Sequence, residues 1–387
     1  MVGGGPAGAA TAIYLARRGR NVLLLEGRDF AKARVADMRS GEVLSPGSQQ
    51  ELVRLGLPTD GEDWRLLPFN QLRHSWPNGR VTLDSLPNQL EFWQTDRGCF
   101  DRAMGKLARE AGVTVLEASR VSNLVRTTAG TVGGVVTKAG DEPGREWRAP
   151  LVVDASGRRS ALLARLKLKE PEPEFRRIAL VCFYEFMPDC TPGVWEQHFL
   201  AAHNTVLKGS IMRDGLYRFS FETDLAFRNE FAAHFGKQTP HAMVLAMLQQ
   251  YHPELYERFA AARPLAYSAA YAPIGYRVRT ITHDGLLMVG DAAGYLDPST
   301  GQGIEFALRT ARLASISIEH ALHTRDYRRA QFAPYLEGRH REIQKSMSSL
   351  RFFLRVSRQK RLLSLASYFP PARALVMRAM VKPRPVS

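Results

Sequence analysis

Two clusters of residues in this 387-residue chain have the types and spacing that cofactor chemistry needs. The first is Gly3, Gly5 and Gly8, a G-x-G-x-x-G pattern that also holds Pro6 and Ala7. The first glycine permits a tight turn, the second lets bare backbone approach a pyrophosphate, and the third lets a helix pack closely on a strand. Glu26 ends the next apolar run, 18 residues after Gly8, where a carboxylate accepts hydrogen bonds from ribose hydroxyls. The second cluster runs from Gly285 to Leu308. Its strand-like run Leu286 to Val289 breaks at Gly290-Asp291, and Pro298, Gly301 and Gly303 then bring backbone close to something flat or anionic. From Ile304 the apolar residues fall at helical spacing, so a positive helix end faces any negative charge placed above it.

Gly290-Asp291-Ala-Ala-Gly, Pro298 and Gly301-Gln302-Gly303-Ile304 together resemble the flavin-side motif of FAD-dependent monooxygenases of the para-hydroxybenzoate hydroxylase superfamily. That superfamily includes halogenase and geranylgeranyl-reductase branches. The resemblance implies FAD as cofactor, with Asp291 on the ribityl chain and Pro298 near flavin C4a. It also places the backbone of Gly301 to Ile304 at the N1/C2 edge of the reduced ring. Asp96-Arg97-Gly-Cys-Phe-Asp101 resembles the family's Arg-x-x-Phe-Asp element, which gives Arg97 a contact near the pyrophosphate. Val121 falls where the family's backbone contacts adenine, and Arg39, just before the Gly41 to Leu57 stretch that resembles the family's second helix region, could approach the flavin. Asp154-Ala-Ser-Gly157-Arg has the form of the halogenase and reductase branches, and Asp154 and Gly157 are expected to shape the cofactor groove. Pro298, Gly301 and Gly303 are thus the expected reacting edge, and no side-chain base is assigned. No metal site is expected. Cys99 reads as packing rather than as a redox thiol, and Asp101 as a helix N-terminal residue.

The elements that must position these groups give an α/β fold. We expect a Rossmann-like FAD-binding domain over 1–67, 95–165 and 275–325, and a substrate domain built on an antiparallel sheet over 68–94 and 166–274. A basic helical segment, 326–387, follows. Pro77-Asn78-Gly79 marks a hairpin turn on the substrate side. Only Met1 and Val2 stand where the first strand of the dinucleotide fold belongs, so that strand is expected to be truncated. Either the start codon is misassigned or the chain as given binds its cofactor poorly.

Three cysteines without a C-x-x-C pair indicate neither a disulfide framework nor a zinc site, and a reducing, cytoplasmic setting fits. No apolar run reaches the roughly 18 residues of a membrane span. Residues 324–387 hold 15 basic residues against Asp326, Glu337 and Glu342, a net +12 of the chain's +15. Arg351, Arg355 and Arg358 share one helical face that could meet an acidic partner protein or an anionic membrane surface, the alternative being a solvated helix covering the FAD domain. No recognition motif accompanies the charge, so nucleic acid is not an expected partner.

The resemblance implies a monooxygenase that works through a flavin C4a-hydroperoxide on an organic substrate, either a small molecule or a carrier- or peptide-tethered group. A flavin-dependent halogenase, an isoprenoid-type double-bond reductase and a non-catalytic flavin-binding protein are the rivals. Against halogenation, the chain has no Trp-x-Trp-x-Ile-Pro. It also has no lysine between Lys32 and Lys106, where the family's halogenases carry the lysine that relays hypohalous acid. There is no second G-x-G-x-x-G, so NAD(P)H is expected either as a transient reductant or only at a partner flavin reductase. Trp93, Phe183 and Trp195 are too scattered to name a substrate.

Overall fold

The computed structural model describes residues 1–30, 42–60, 62–138, 144–200, 204–213, 215–236, 239–265, 269–271, 274–295 and 298–381. A parallel sheet forms where the sequence places its short apolar runs. Leu23–Leu25 pairs with Thr114–Leu116, and Val152–Asp154 pairs with Leu286–Met288. The first strand is as short as expected, yet it closes the gap between these pairs. Val2 bridges Leu25 on one side and Asp154 on the other. Its N–H donates to the Val153 carbonyl at 2.8 Å, and its own carbonyl accepts from Ala155 N–H at 2.7 Å.

Helix Pro6–Ala16 follows at once, nearly all of it buried, because small residues at Ala7, Gly8, Ala9, Ala10 and Ala12 let it lie against neighbours on every side. It packs between helices Arg97–Glu110 and Gly303–Thr324. A three-stranded antiparallel layer, Arg120–Arg126, Val132–Lys138 and Arg145–Arg148, covers the sheet.

The second sheet is antiparallel apart from one pairing. Arg177–Glu185, Leu216–Asp224, Thr205–Arg213 and Val194–Leu200 follow one another across it. The hairpin Gln71–Ser75/Val81–Ser85 then joins Val194–Leu200 in parallel, with Trp195 opposite Leu72. Three helices follow the sheet, Leu225–Phe235, Pro240–Tyr251 and Pro253–Ala261, with a proline opening each of the last two.

The basic C-terminal segment differs from the expectation of a solvated cover on the FAD domain. Near the start of helix Ala333–Ser357, Tyr335 donates to the Met288 carbonyl at 3.0 Å. Its second half buries Met347, Leu350, Phe353 and Leu354 with Phe69, Leu72, Trp76 and Trp195 of the large sheet. Arg351 pairs with Glu174 at 2.7 Å and Arg358 with Asp224 at 3.6 Å, so two of the three arginines staple the helix to that side. Arg355 stays exposed. No described helix is long and apolar enough to cross a membrane.

Candidate functional site

The glycine turn is held by contacts that only hydrogen atoms fit. A Cβ on Gly8 would sit 2.0 Å from the Gly3 carbonyl oxygen, and one on Gly3 would sit 2.6 Å from the Ala155 oxygen. Gly5 caps helix Pro6–Ala16 without any side-chain hydrogen bond, and the nearest atom to a Cβ there is Arg97 Nη2 at 3.6 Å. The helix start therefore presents backbone N–H groups beside a guanidinium, the two elements that bind a phosphate. Arg97 is aimed by two carboxylates: Nε donates to Asp101 at 2.8 Å and Nη1 to Glu42 at 3.1 Å. Asp96, not Asp101, caps that helix, accepting from Cys99 N–H at 3.1 Å. Asp101 instead lies buried and also takes Arg28 at 2.9 Å.

Glu26 is buried at the strand end, accepting from Gly4 N–H at 2.7 Å and from Arg28 N–H at 2.8 Å, so it braces the turn it was expected to accompany. Val121 is buried on its strand. Arg39 lies outside the described residues. Burial pushes the Cys99 thiol up to about 11 in spite of the Arg102 guanidinium beside it, so the thiol form dominates near neutral pH.

Gly290 has φ +58°, and a Cβ there would meet Ala7 Cβ at 2.6 Å, so the Asp291 turn rests directly on the start of the first helix. Burial raises the Asp291 carboxyl to about 6, against the pull of Arg158. Below the ordinary carboxylate value both folded and unfolded chains are protonated there. From about pH 4 to about 6 the folded chain keeps a proton that the unfolded chain has released, so stability of the FAD-free chain falls as pH rises through that window. Asp291→Asn is expected to flatten this slope relative to the parent chain, which thermal melts across the window will show.

Pro298–Thr300 forms a 3-10 turn, Gly301 follows at φ +63°, and helix Gly303–Thr324 starts without a side-chain cap. Ile304 is buried beneath that start. Pro298, Gly301 and Gly303 line one pocket with Phe69, Phe92 and Trp195. Phe69 stacks on Phe92 at 5.2 Å and on Trp195 at 4.9 Å, so the wall is flat and aromatic. Of the three scattered aromatics, only Trp195 is among these lining residues.

The sequence reading missed the polar groups of this pocket. Lys208 donates to Glu222 at 2.9 Å and to the Ser299 carbonyl at 2.9 Å. Ser299 Oγ donates to Glu222 at 2.7 Å and accepts from Arg177 at 2.7 Å. Burial pushes the Glu222 carboxyl up, but Lys208 and Arg177 hold it below its ordinary value. A buried charged network on the large sheet thus grips the turn carrying Pro298.

A glycine turn at a helix start, a strand-end acid and a second, uncapped glycine-rich helix start define a flavoprotein of the dinucleotide-binding α/β class. Residues 1–345 match the FAD binding domain family, and the chain belongs to it. It is 25% identical over 378 residues to a 1H-pyrrole-2-carbonyl-[peptidyl-carrier protein] chlorinase of Pseudomonas fluorescens, covering 87% of this chain and 78% of that one. It is 27% identical over 323 residues to a menaquinone reductase of Mycobacterium tuberculosis, covering 81% and 74%. Among solved structures, flavin-dependent brominase Bmp2 superposes with a TM-score of 0.81 at 21% identity, over 98% of this chain and 92% of that one. The chain is an FAD-dependent oxidoreductase of the branch that holds halogenases and reductases.

Proposed function

We propose that the chain is a flavin-dependent halogenase acting on an aromatic ring presented as a carrier-tethered acyl group. The observation that carries this reading is the pocket, where the Pro298 turn, the aromatic wall and the Lys208 ammonium converge. Similarity to the carrier-linked pyrrole chlorinase supports the substrate class.

The cofactor-side residues fit FAD. The N–H groups after Gly5 and the guanidinium of Arg97 would hold the pyrophosphate, Glu26 the ribose, and Asp291 the ribityl hydroxyls. Val121 would meet the adenine, and the uncapped start at Gly303 and Ile304 the ring edge. When bound and reduced, FAD supplies two electrons to oxygen, leaving an oxidant that can take two more from a halide. Phe69, Phe92 and Trp195 would orient the ring and keep water away, and Lys208 would hold the oxidised halogen between the Pro298 turn and the aromatic carbon. A partner reductase would supply the electrons from NAD(P)H. Arg355, Lys360 and Arg361, all exposed, would meet an acidic carrier.

Lys208 comes from strand Thr205–Arg213 and not from the interval between Lys32 and Lys106, so the missing lysine there does not leave the pocket without an amine. Hydroxylation remains the second reading, favoured by the hydrogen bonds that tie Lys208 to Glu222 and Ser299. Lys208→Arg keeps the charge and the pairing with Glu222. It is expected to retain FAD while forming about tenfold less halogenated product, with NADH consumption continuing as peroxide. An unchanged product yield would remove Lys208 from the chemistry and return weight to hydroxylation.

A further inference from the structure

Arg218 is not needed for any role described so far, yet it lines the same pocket. It stands on strand Leu216–Asp224, where Arg218, Ser220 and Glu222 alternate with Tyr217, Phe219 and Phe221, so it shares the face of Glu222. Its Nε and Nη1 are shut off from water and meet no hydrogen-bond acceptor among the described residues. The guanidinium lies 5.4 Å from the centroid of the Trp195 ring.

The two carboxylates nearest to it are already hydrogen-bonded to other cations. Lys208 faces Glu222 at 2.9 Å, and Glu42, across the pocket, takes Arg97 at 3.1 Å. Glu42 and Glu222 attract Arg218 through space, and burial nevertheless lowers its pKa. An arginine keeps its proton inside a protein, so this poorly hydrated charge favours an anion brought from outside.

We propose that Arg218 is an anion-binding subsite of the pocket, taking a small monoanion beside the aromatic wall. Two sources share that chemistry, a free halide ion and a carboxylate carried by an aromatic substrate. The inference deepens the reading of this cavity as the place of reaction, and it stands apart from the choice between halogenation and hydroxylation because it concerns binding alone.

The test uses the full-length, FAD-loaded chain at constant ionic strength and follows the flavin absorbance spectrum during titration with bromide, benzoate and, as the uncharged match, benzamide. The parent chain is expected to give a saturable spectral change with bromide or with benzoate, and none with benzamide at the same concentrations. Bromide alone would identify a halide site, and benzoate alone a substrate carboxylate site. Arg218→Gln is expected to weaken that binding at least about tenfold, and Arg218→Lys less, with FAD content and melting temperature close to the parent's in the lysine variant. Equal binding of benzoate and benzamide, no saturable change with either anion, or unchanged anion affinity in both variants would overturn the proposal. A chain that binds the anion but makes no halogenated product would lose the halogenase reading and keep this one.

Discussion

Replacing Gly8 with valine is expected to yield a colourless chain that melts far below the parent. A Cβ at this position would lie 2.0 Å from the Gly3 carbonyl oxygen and 2.9 Å from Ala155 Cβ. Neither neighbour can step aside. Gly3 sits between two strand ends, with its N–H bonded to the Leu25 carbonyl at 2.8 Å, and Ala155 is held by Val2. The helix must therefore move off the sheet, and the N–H groups at its start move with it. Overpacking of this kind costs about 1–3 kcal/mol where side chains can adjust, and more where backbone stands in the way. A loss of roughly 3 kcal/mol in cofactor binding corresponds to about a hundredfold in affinity. Gly19→Ala is the control, since nothing lies within 4 Å of a Cβ there and only its φ of +75° is strained. That change should cost about 1 kcal/mol and leave the protein yellow. Flavin absorbance after desalting, together with melting temperature, reads both. A yellow Gly8→Val chain with the parent's melting temperature would show that the turn does not hold the cofactor as described.

Glu222→Gln is expected to have the next largest effect. Glu222 and Lys208 are both buried, and removing the carboxylate leaves the Lys208 ammonium and the Arg177 guanidinium without their shared counter-charge. Breaking a buried pair in this way costs about 3–5 kcal/mol. Replacing both members with apolar residues, as in Lys208→Met with Glu222→Leu, should recover part of that loss, because no unmatched charge remains between them. In the double variant the Ser299 hydroxyl loses its acceptor and its carbonyl loses the Lys208 donor, so the Pro298 turn loosens and FAD retention falls even where the melting temperature recovers. Thermal melts of the two single variants and the double variant check the coupling. Additive losses would mean that Lys208 and Glu222 do not act as a pair.

The groups that were legible in the sequence are those whose function depends on backbone shape. Gly3, Gly5 and Gly8 announce a close approach by their spacing, and Gly290, Pro298, Gly301 and Gly303 announce a turn and a helix start, because few other residues satisfy those geometries. Glu26 was legible because it ends an apolar run at a set distance from the glycines. Lys208, Arg218 and Glu222 were not, because alternation of polar and apolar residues along a strand says only that one face differs from the other. Whether Arg218, Ser220 and Glu222 faced water or a pocket depended on what covered the sheet. One cover is the Ala333–Ser357 helix, more than a hundred residues further along. The partners of Arg351 and Arg358, Glu174 and Asp224, are similarly remote in the chain, which is why a structural staple resembled a free basic face. Asp101 was placed at a helix start by its motif, and only the fold shows that it aims Arg97.

The most direct test of halogenation supplies the FAD-loaded chain with reduced flavin from a separate NADH-dependent reductase, in air. It offers a pyrrole-2-carbonyl thioester on its carrier protein, with bromide present or absent, and reads the product by mass spectrometry. Bromine in place of a ring hydrogen is expected, and only when bromide is present. A product that gains one oxygen atom in equal amount with and without bromide would contradict it, and would make the chain a hydroxylase built on the halogenase fold.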